Sequence, residues 1–172
     1  MITIKNILLK NNKIKFLYSE GFHTSEHFKH RIVTFIFQRI FRINSNCRFQ
    51  VHFTSQILHP KKIILGRRVR RSFLLSGNCY IQANNGIKIG DNTIFASNVK
   101  LISANHSATN INGHLKADQI IIGKNCWIGT GSVILPGINL GDNVIVGANS
   151  TVTKSFQSNS IIAGNPAKLI KY

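Results

Sequence analysis

A repeat of six residues constrains this chain more than any other feature. Such a period has to be sought before secondary structure, because overlooking it misassigns the whole architecture. From Ile122 the sequence divides without a gap into IGKNCW, IGTGSV, ILPGIN, LGDNVI, VGANST and VTKSFQ. First positions are Ile122, Ile128, Ile134, Leu140, Val146 and Val152, and glycine stands second at Gly123, Gly129, Gly141 and Gly147. Upstream, Ile89, Phe95 and Leu101 keep the rule, with Gly90 second; Leu65 and Gly66 match once more before Arg71 and Gly77 break the phase. One short strand per hexad is predicted, with the aliphatic residue inward and glycine at the bend, where a side chain would clash or φ must be positive. Three hexads then make a triangular coil, and coils stacked at about 4.8 Å bury a column of Ile, Leu and Val that no single repeat could bury. A β-sandwich would need turn signals roughly every 8 to 12 residues and alternating polarity. Six consecutive aliphatic hits speak against it.

The repeat fails once. Leu101 and Ile122 are 21 residues apart, not a multiple of six, so a segment within 107–121 must leave the coil as a loop. Loops on a rigid scaffold are where function concentrates. This one opens with Ser103-Ala104-Asn105-His106 and includes His114. Hexad counting puts His106 and Trp127 at position six, facing outward, and Cys126 at the small, inward position five. An outward indole stays wet unless a ligand or a neighbouring subunit covers it; the other reading packs Trp127 under the extruded loop. Cys126 tempts as a nucleophile, but a reactive cysteine needs exposure and an electropositive setting.

Composition narrows the class. With 172 residues and 43% hydrophobic content, the chain suits one domain with an appendage. Cys47, Cys79 and Cys126 share no CxxC spacing, which argues for free thiols rather than a disulfide framework. Residues 1–75 hold 15 Lys and Arg against Glu20 and Glu26, so the basic excess belongs to the front. Ser25 and Glu26 open a predicted helix to about Arg42, with Phe28, Ile32, Phe35, Ile36 and Ile40 on one face. That stripe either closes the open end of the coil or attaches peripherally to anionic lipid. The histidines His23, His27 and His30 read as a solvated face, and His52 and His59 flank the start of the coil without a role. The run Lys61, Lys62, Arg67, Arg68, Arg70, Arg71 is a solvated face or meets an acidic group. No apolar stretch reaches the roughly 20 residues that cross a bilayer, and the amino terminus lacks a secretory pattern. A cytoplasmic protein is expected, or one at the inner face of the membrane. The expected division is a basic segment over 1–50 and a coil domain with a tail over 51–172.

NHSATN, CWIG, the closing hexads and the tail AGNPAKLI resemble the hexapeptide-repeat acyltransferases over about residues 50–172, in the branch that O-acetylates sugars and bacterial surface polysaccharides. The resemblance implies an all-β solenoid, a left-handed parallel β-helix, with an N-terminal helical segment and one extruded loop. It implies acetyl-CoA as co-substrate, no metal, a saccharide acceptor from a capsular or lipopolysaccharide glycan or its precursor, and a homotrimer with active sites between subunits. The thioester is already activated, but a neutral hydroxyl is a poor nucleophile, so a base is required; an imidazole of ordinary pKa about 6.5 suits. His106, in SANH at the family's catalytic position, is implied as that base. The backbone N–H of Thr130 is implied as oxyanion donor. CoA is placed along Trp127, Gly129, Thr130, Gly147, Ala148, Thr153, Lys154 and Lys168, and the acceptor near Asn84, His106 and Trp127. Asn84 stands where the family often carries an aspartate. Asp91 and Asp142 belong to Gly-Asp-Asn corners, so a backbone carbonyl is preferred as the group orienting His106.

Rival readings remain. An N-acetyltransferase acting on an amino sugar differs only in the acceptor atom. A zinc enzyme on the same fold needs three converging histidines, and only His106 and His114 lie near the cleft. A nucleic-acid-binding module would suit the +17 charge, but the basic run has no interleaved aromatics.

Overall fold

The computed structural model describes residues 12, 25–107 and 113–172; the amino-terminal stretch with Glu20 and His23, and residues 108–112 of the loop, lie outside the described residues. The hexads form short strands: β1 (Gln56–Leu58), β2 (Ile63–Leu65), β3 (Tyr80–Gln82), β4 (Ile87–Ile89), β5 (Ile94–Phe95), β6 (Lys100–Ile102), β7 (Ile120–Ile122), β8 (Trp127–Ile128), β9 (Val133–Ile134), β10 (Asn139–Leu140), β11 (Ile145–Val146) and β12 (Thr151–Val152). A hairpin follows, β13 (Ile161–Gly164) and β14 (Ala167–Lys171). They fall into three sheets, β1-β3-β6-β9-β12 (sheet A), β10-β7-β4-β2 (sheet B) and β14-β13-β11-β8-β5 (sheet C). The chain visits the sheets in rotation, and neighbouring coils pair in parallel.

Three inward columns result. Ile89, Ile122 and Leu140 are in register on sheet B, Phe95, Ile128 and Val146 on sheet C, and Leu101, Ile134 and Val152 on sheet A. All nine are at most 5% exposed. Position five is buried as expected, at Thr93, Val99, Cys126, Ser132, Ile138, Val144 and Ser150.

Glycine at position two serves close approach only. A Cβ on Gly90 would lie 2.6 Å from Gly123 C and 2.7 Å from Gly123 O and Lys124 N, all backbone of the next coil. Gly90→Ala should therefore force the coils apart and cost about 2 kcal/mol, read from urea unfolding. A loss below about 0.5 kcal/mol, the range of an inert surface change, would refute this account. The positive φ sits at position four instead: Arg68, Asn92, Asn98, Asn125, Gly131, Gly137, Asn143 and Asn149 all adopt φ between 54° and 73°. Asparagine tolerates that region because its short polar side chain bonds locally. Asn92 Nδ2 donates to Asn125 Oδ1 at 3.1 Å and Asn143 Nδ2 to Asn159 Oδ1 at 2.9 Å, tying corner to corner between coils. The corner aspartates do likewise: Asp91 Oδ1 accepts the Arg67 N–H at 2.8 Å, and Asp142 Oδ1 the Lys124 N–H at 2.7 Å.

The first coil is irregular. Where a third strand would stand, the chain forms a short helix, Arg70–Leu75, which explains the break in phase at Arg71. Its Phe73 enters the core, edge-on to Phe49 at 4.8 Å and Phe95 at 4.9 Å. Ahead of it lies a helix, Ser25–Phe35 (α1), continued by a π-helical turn, Ile36–Ile40; the Arg70–Leu75 helix is α2. The apolar stripe of α1 does not pack on the coil, against the first of the two readings offered for it. The docked face carries His27, Thr34 and Gln38, all buried, whereas Phe28, Ile32, Phe35, Ile36 and Ile40 face outward. Hydrogen bonding explains the inversion: the Gln38 amide donates to the carbonyls of Asn44 and Phe49 at 3.0 Å each and accepts from the Val51 N–H, closing a turn that apolar residues could not satisfy. His27 thus belongs to the interior rather than to a solvated face.

Candidate active site

The coil opens between β6 and β7. Ile89 pairs with Ile122, 33 residues on, whereas Ile122 pairs with Leu140 after 18, so 15 residues are inserted here. The insertion leaves through a narrow neck, an antiparallel bridge between His106 and His114. Ser107 N–H donates to Gly113 O at 3.0 Å and Leu115 N–H to Asn105 O at 2.8 Å. Both imidazoles are exposed, with ring centres 4.5 Å apart.

Two side chains of the preceding coil fasten this neck, and sequence reasoning singled out neither. Gln82 Nε2 donates to Ala104 O at 3.2 Å while its Oε1 accepts the Ala104 N–H at 2.9 Å. The Asn85 amide donates to Ser103 O at 2.8 Å and to Leu115 O at 3.1 Å, gripping both roots of the loop. The available signal was positional, since Gln82 lies in register with Ile102 on β6. Beside Asn85, Asn84 Oδ1 is a buried oxygen without a hydrogen-bond partner among the described residues. Asn84 O accepts from Lys62 Nζ at 2.7 Å, so part of the basic run is spent within the molecule, as is Arg67, which bonds Asp91 Oδ2 at 3.0 Å. The Arg67 backbone N–H, followed by its side chain, holds the Asp91 carboxyl below its usual pKa.

The other predicted residues gather elsewhere. Trp127 opens β8 on sheet C and is 53% exposed, as hexad counting expects and unlike the packed alternative. Gly129 N–H donates to Val146 O at 2.8 Å, and Asn149 N–H to Thr130 O at 2.8 Å, so Gly129-Thr130 lies alongside Gly147-Ala148 one coil on. Thr130 Oγ1 donates back to Ser97 O at 2.7 Å, and the Thr130 N–H meets no acceptor among the described residues. Thr153 and Lys154 follow β12 and are exposed, with the Lys154 ammonium 5.6 Å from the centre of the Phe156 ring. Lys168 is exposed on β14, opposite Ala163.

Asn84, His106, Thr153 and Lys154 therefore follow strands of sheet A, on the edge toward sheet B, whereas Trp127, Gly129, Thr130, Gly147 and Ala148 lie on sheet C or just past it. One chain does not bring the two groups onto a common face. On sheet B, a groove of about 530 Å³ runs between Asp118 and Gln119 of the returning loop and Ile121, Gly137 and Asn139 of the coil wall. Among the described residues no three His, Cys, Asp or Glu side chains converge as a metal site.

Cys126 points inward and is 1% exposed, and burial raises its pKa. Burial does the same for Cys79 and takes Cys47 up to about 11. None of the three should react quickly with an aromatic disulfide reagent at neutral pH, while all three should react on unfolding. Cys126→Ser should keep turnover within about twofold, and a larger loss would reinstate a nucleophilic thiol.

The family described as "Hexapeptide repeat of succinyl-transferase" matches residues 119–154. The galactoside O-acetyltransferase of Escherichia coli (strain K12) is 38% identical over 106 residues, which are 60% of this chain and 52% of that protein. A putative lipopolysaccharide biosynthesis O-acetyl transferase, WbbJ, of the same organism is 36% identical over 104 residues, 54% of this chain and 53% of that one. The match thus spans about half the length of these curated relatives. Among solved structures, a maltose O-acetyltransferase from Clostridium difficile 630 superposes with a TM-score of 0.62 and 26% identity, covering 96% of this chain and 87% of that one. A galactoside acetyltransferase in complex with coenzyme A superposes at 0.57 with 34% identity, covering 69% and 62%. By its repeat, its three parallel sheets and its sequence likeness, the chain is similar to hexapeptide-repeat acetyltransferases, sugar O-acetyltransferases among them.

Proposed function

We propose that this protein transfers an acetyl group from acetyl-CoA to a saccharide hydroxyl, with His106 as general base. The observation that carries the reading is His106 itself, exposed at the neck of the loop and braced through Gln82 and Asn85, so that an imidazole is presented to a ligand on a rigid edge. The acceptor hydroxyl loses its proton to His106 as its oxygen attacks the thioester carbonyl. Collapse of the tetrahedral intermediate expels the CoA thiolate, which takes up a proton. The Thr130 N–H, not consumed by the coil, is suited to the oxyanion. Asn84 follows β3 on the same edge of sheet A as His106, which suits it to the acceptor side of the site. The named relatives act on galactosides or maltose or serve lipopolysaccharide biosynthesis, which supports a saccharide, with a bacterial surface glycan or its precursor as the finer reading.

The reading extends to the assembly. His106 and Trp127 belong to different sheets of one chain, so a shared pocket requires a second copy, and a trimer of left-handed coils with clefts between neighbours provides it. CoA would lie along Trp127, Gly129, Thr130, Gly147 and Ala148, with Thr153, Lys154 and Lys168 within the same assembly; the lysines supply point charges for phosphate.

Release of CoA thiol from acetyl-CoA, followed over neutral, acidic and amino saccharides with product masses determined, tests this. Acetylated hydroxyls are the expected product. Turnover confined to amino sugars would shift the reaction to nitrogen, and none with any saccharide would remove the proposal. Comparison of matched neutral and sialic-acid-type acceptors across salt concentrations tests an acidic acceptor: equal, salt-independent rates would exclude it.

A further inference from the structure

The outward face of α1 is unlike any other part of the surface described above. Phe28, Ile32, Phe35 and Ile40 are 64%, 46%, 57% and 67% exposed, and Phe41, just past the helix, is 63% exposed. Single exposed apolar side chains are ordinary, but five along one helix and its exit make a patch that calls for an occupant. The patch follows from the docking described earlier, since the turn whose carbonyls accept from Gln38 commits the polar side of the helical segment to the body and leaves the apolar side out.

Charge selects the occupant. Lys29, Arg39 and Arg42 are exposed on or beside this face. Between Glu26 and Asp91 the sequence holds twelve Lys and Arg and no Asp or Glu. A second copy docking through the same face would set these cations against their own duplicates, with no acidic side chain among the described ones on the patch to answer them. An anionic bilayer answers both features together: the rings and aliphatic chains enter the boundary of the acyl region while Lys and Arg meet lipid phosphates. No described helix is long and apolar enough to cross a membrane, so the contact is with its surface.

We propose that α1 seats the protein on an anionic lipid surface, with Phe28, Ile32, Phe35, Ile40 and Phe41 inserted and Lys29, Arg39 and Arg42 at the headgroups. This docking is independent of the acetyl-transfer reading. Co-sedimentation of the full chain with phosphatidylcholine vesicles, and with vesicles containing about one-third phosphatidylglycerol, should show at least about tenfold tighter binding to the latter. Because a strongly basic protein adheres to anionic vesicles by charge alone, the deciding variant keeps its charge. Phe35→Gln combined with Ile40→Gln should lower binding to the anionic vesicles at least about tenfold, with an unchanged melting temperature. Phe28→Gln provides an independent position with the same expected direction. Failure of the parent protein to bind anionic vesicles would overturn the proposal, and so would undiminished binding by the charge-neutral variants. A change in their mass by light scattering would reassign the face to contact between copies.

Discussion

Replacing His106 with alanine is expected to lower acetyl transfer roughly 100-fold or more, the range associated with a positioned general base. The imidazole lies at the mouth of the loop on a neck fixed to the coil by Gln82 and Asn85, and neither of these bonds uses the His106 side chain. Removal of the ring therefore spares both of these braces. Most of CoA is proposed to lie along sheet C of a neighbouring copy, with only its thioester end reaching His106, so the affinity for CoA should be little changed when titrated calorimetrically. His114 supplies the control: its ring centre is 4.5 Å away on the opposite strand of the neck. If His114→Ala abolished turnover while His106→Ala spared it, the roles would be exchanged. If both spared it, general-base catalysis at this neck would be wrong, whatever the acceptor.

The second large effect falls on stability. Phe73→Ala should destabilise the protein by about 4 kcal/mol, as full truncation of a buried phenylalanine does when the site cannot collapse. Phe73 is 2% exposed and wedged between Phe49 and Phe95, which belong to the segment before the first coil and to β5. These edge-on contacts add about 0.5–1.5 kcal/mol each beyond area burial. Collapse is restricted because Ser72, next to it, bonds the Phe95 N–H through its hydroxyl at 3.2 Å and so holds α2 against β5. Phe28→Ala, at an exposed position, should stay within about 0.5 kcal/mol of the parent in the same urea titration. Comparable curves for the two variants would mean that the aromatic plug does not close the core.

Much of this was legible from the hexads. Inward first positions, inward fifth positions, the outward Trp127 and the interrupted coil all follow from counting, because a regular coil repeats its environment at every sixth residue. The corner residues were harder to assign. The pattern Ile-Gly-Lys-Asn at 122–125 carries two residues suited to unusual backbone, and glycine is the more familiar choice, yet the positive φ belongs to Asn125 while Gly123 merely gives the next coil room. Spacing alone does not separate a steric demand from a torsional one. α1 was left undecided for a different reason: amphipathicity states which residues share a face and says nothing about which face is docked. That choice was made by Gln38 and the carbonyls of Asn44 and Phe49 in the turn that follows the helix, a bond that the apolar stripe does not reveal. Gln82 and Asn85 escaped notice because their importance depends on pairing between β3 and β6, a relation between coils that a single hexad does not carry.

One feature of sheet C reaches beyond the single molecule. A stack of identical parallel rungs contains no instruction to stop, since the edge of each rung is a template for another, including one from a separate molecule. Here β14 turns back against β13 and pairs antiparallel, closing one end of that sheet, while α2 stands where a strand would extend the other. The reversed strand β14 thus occupies the β13 edge on which a further parallel rung would otherwise grow.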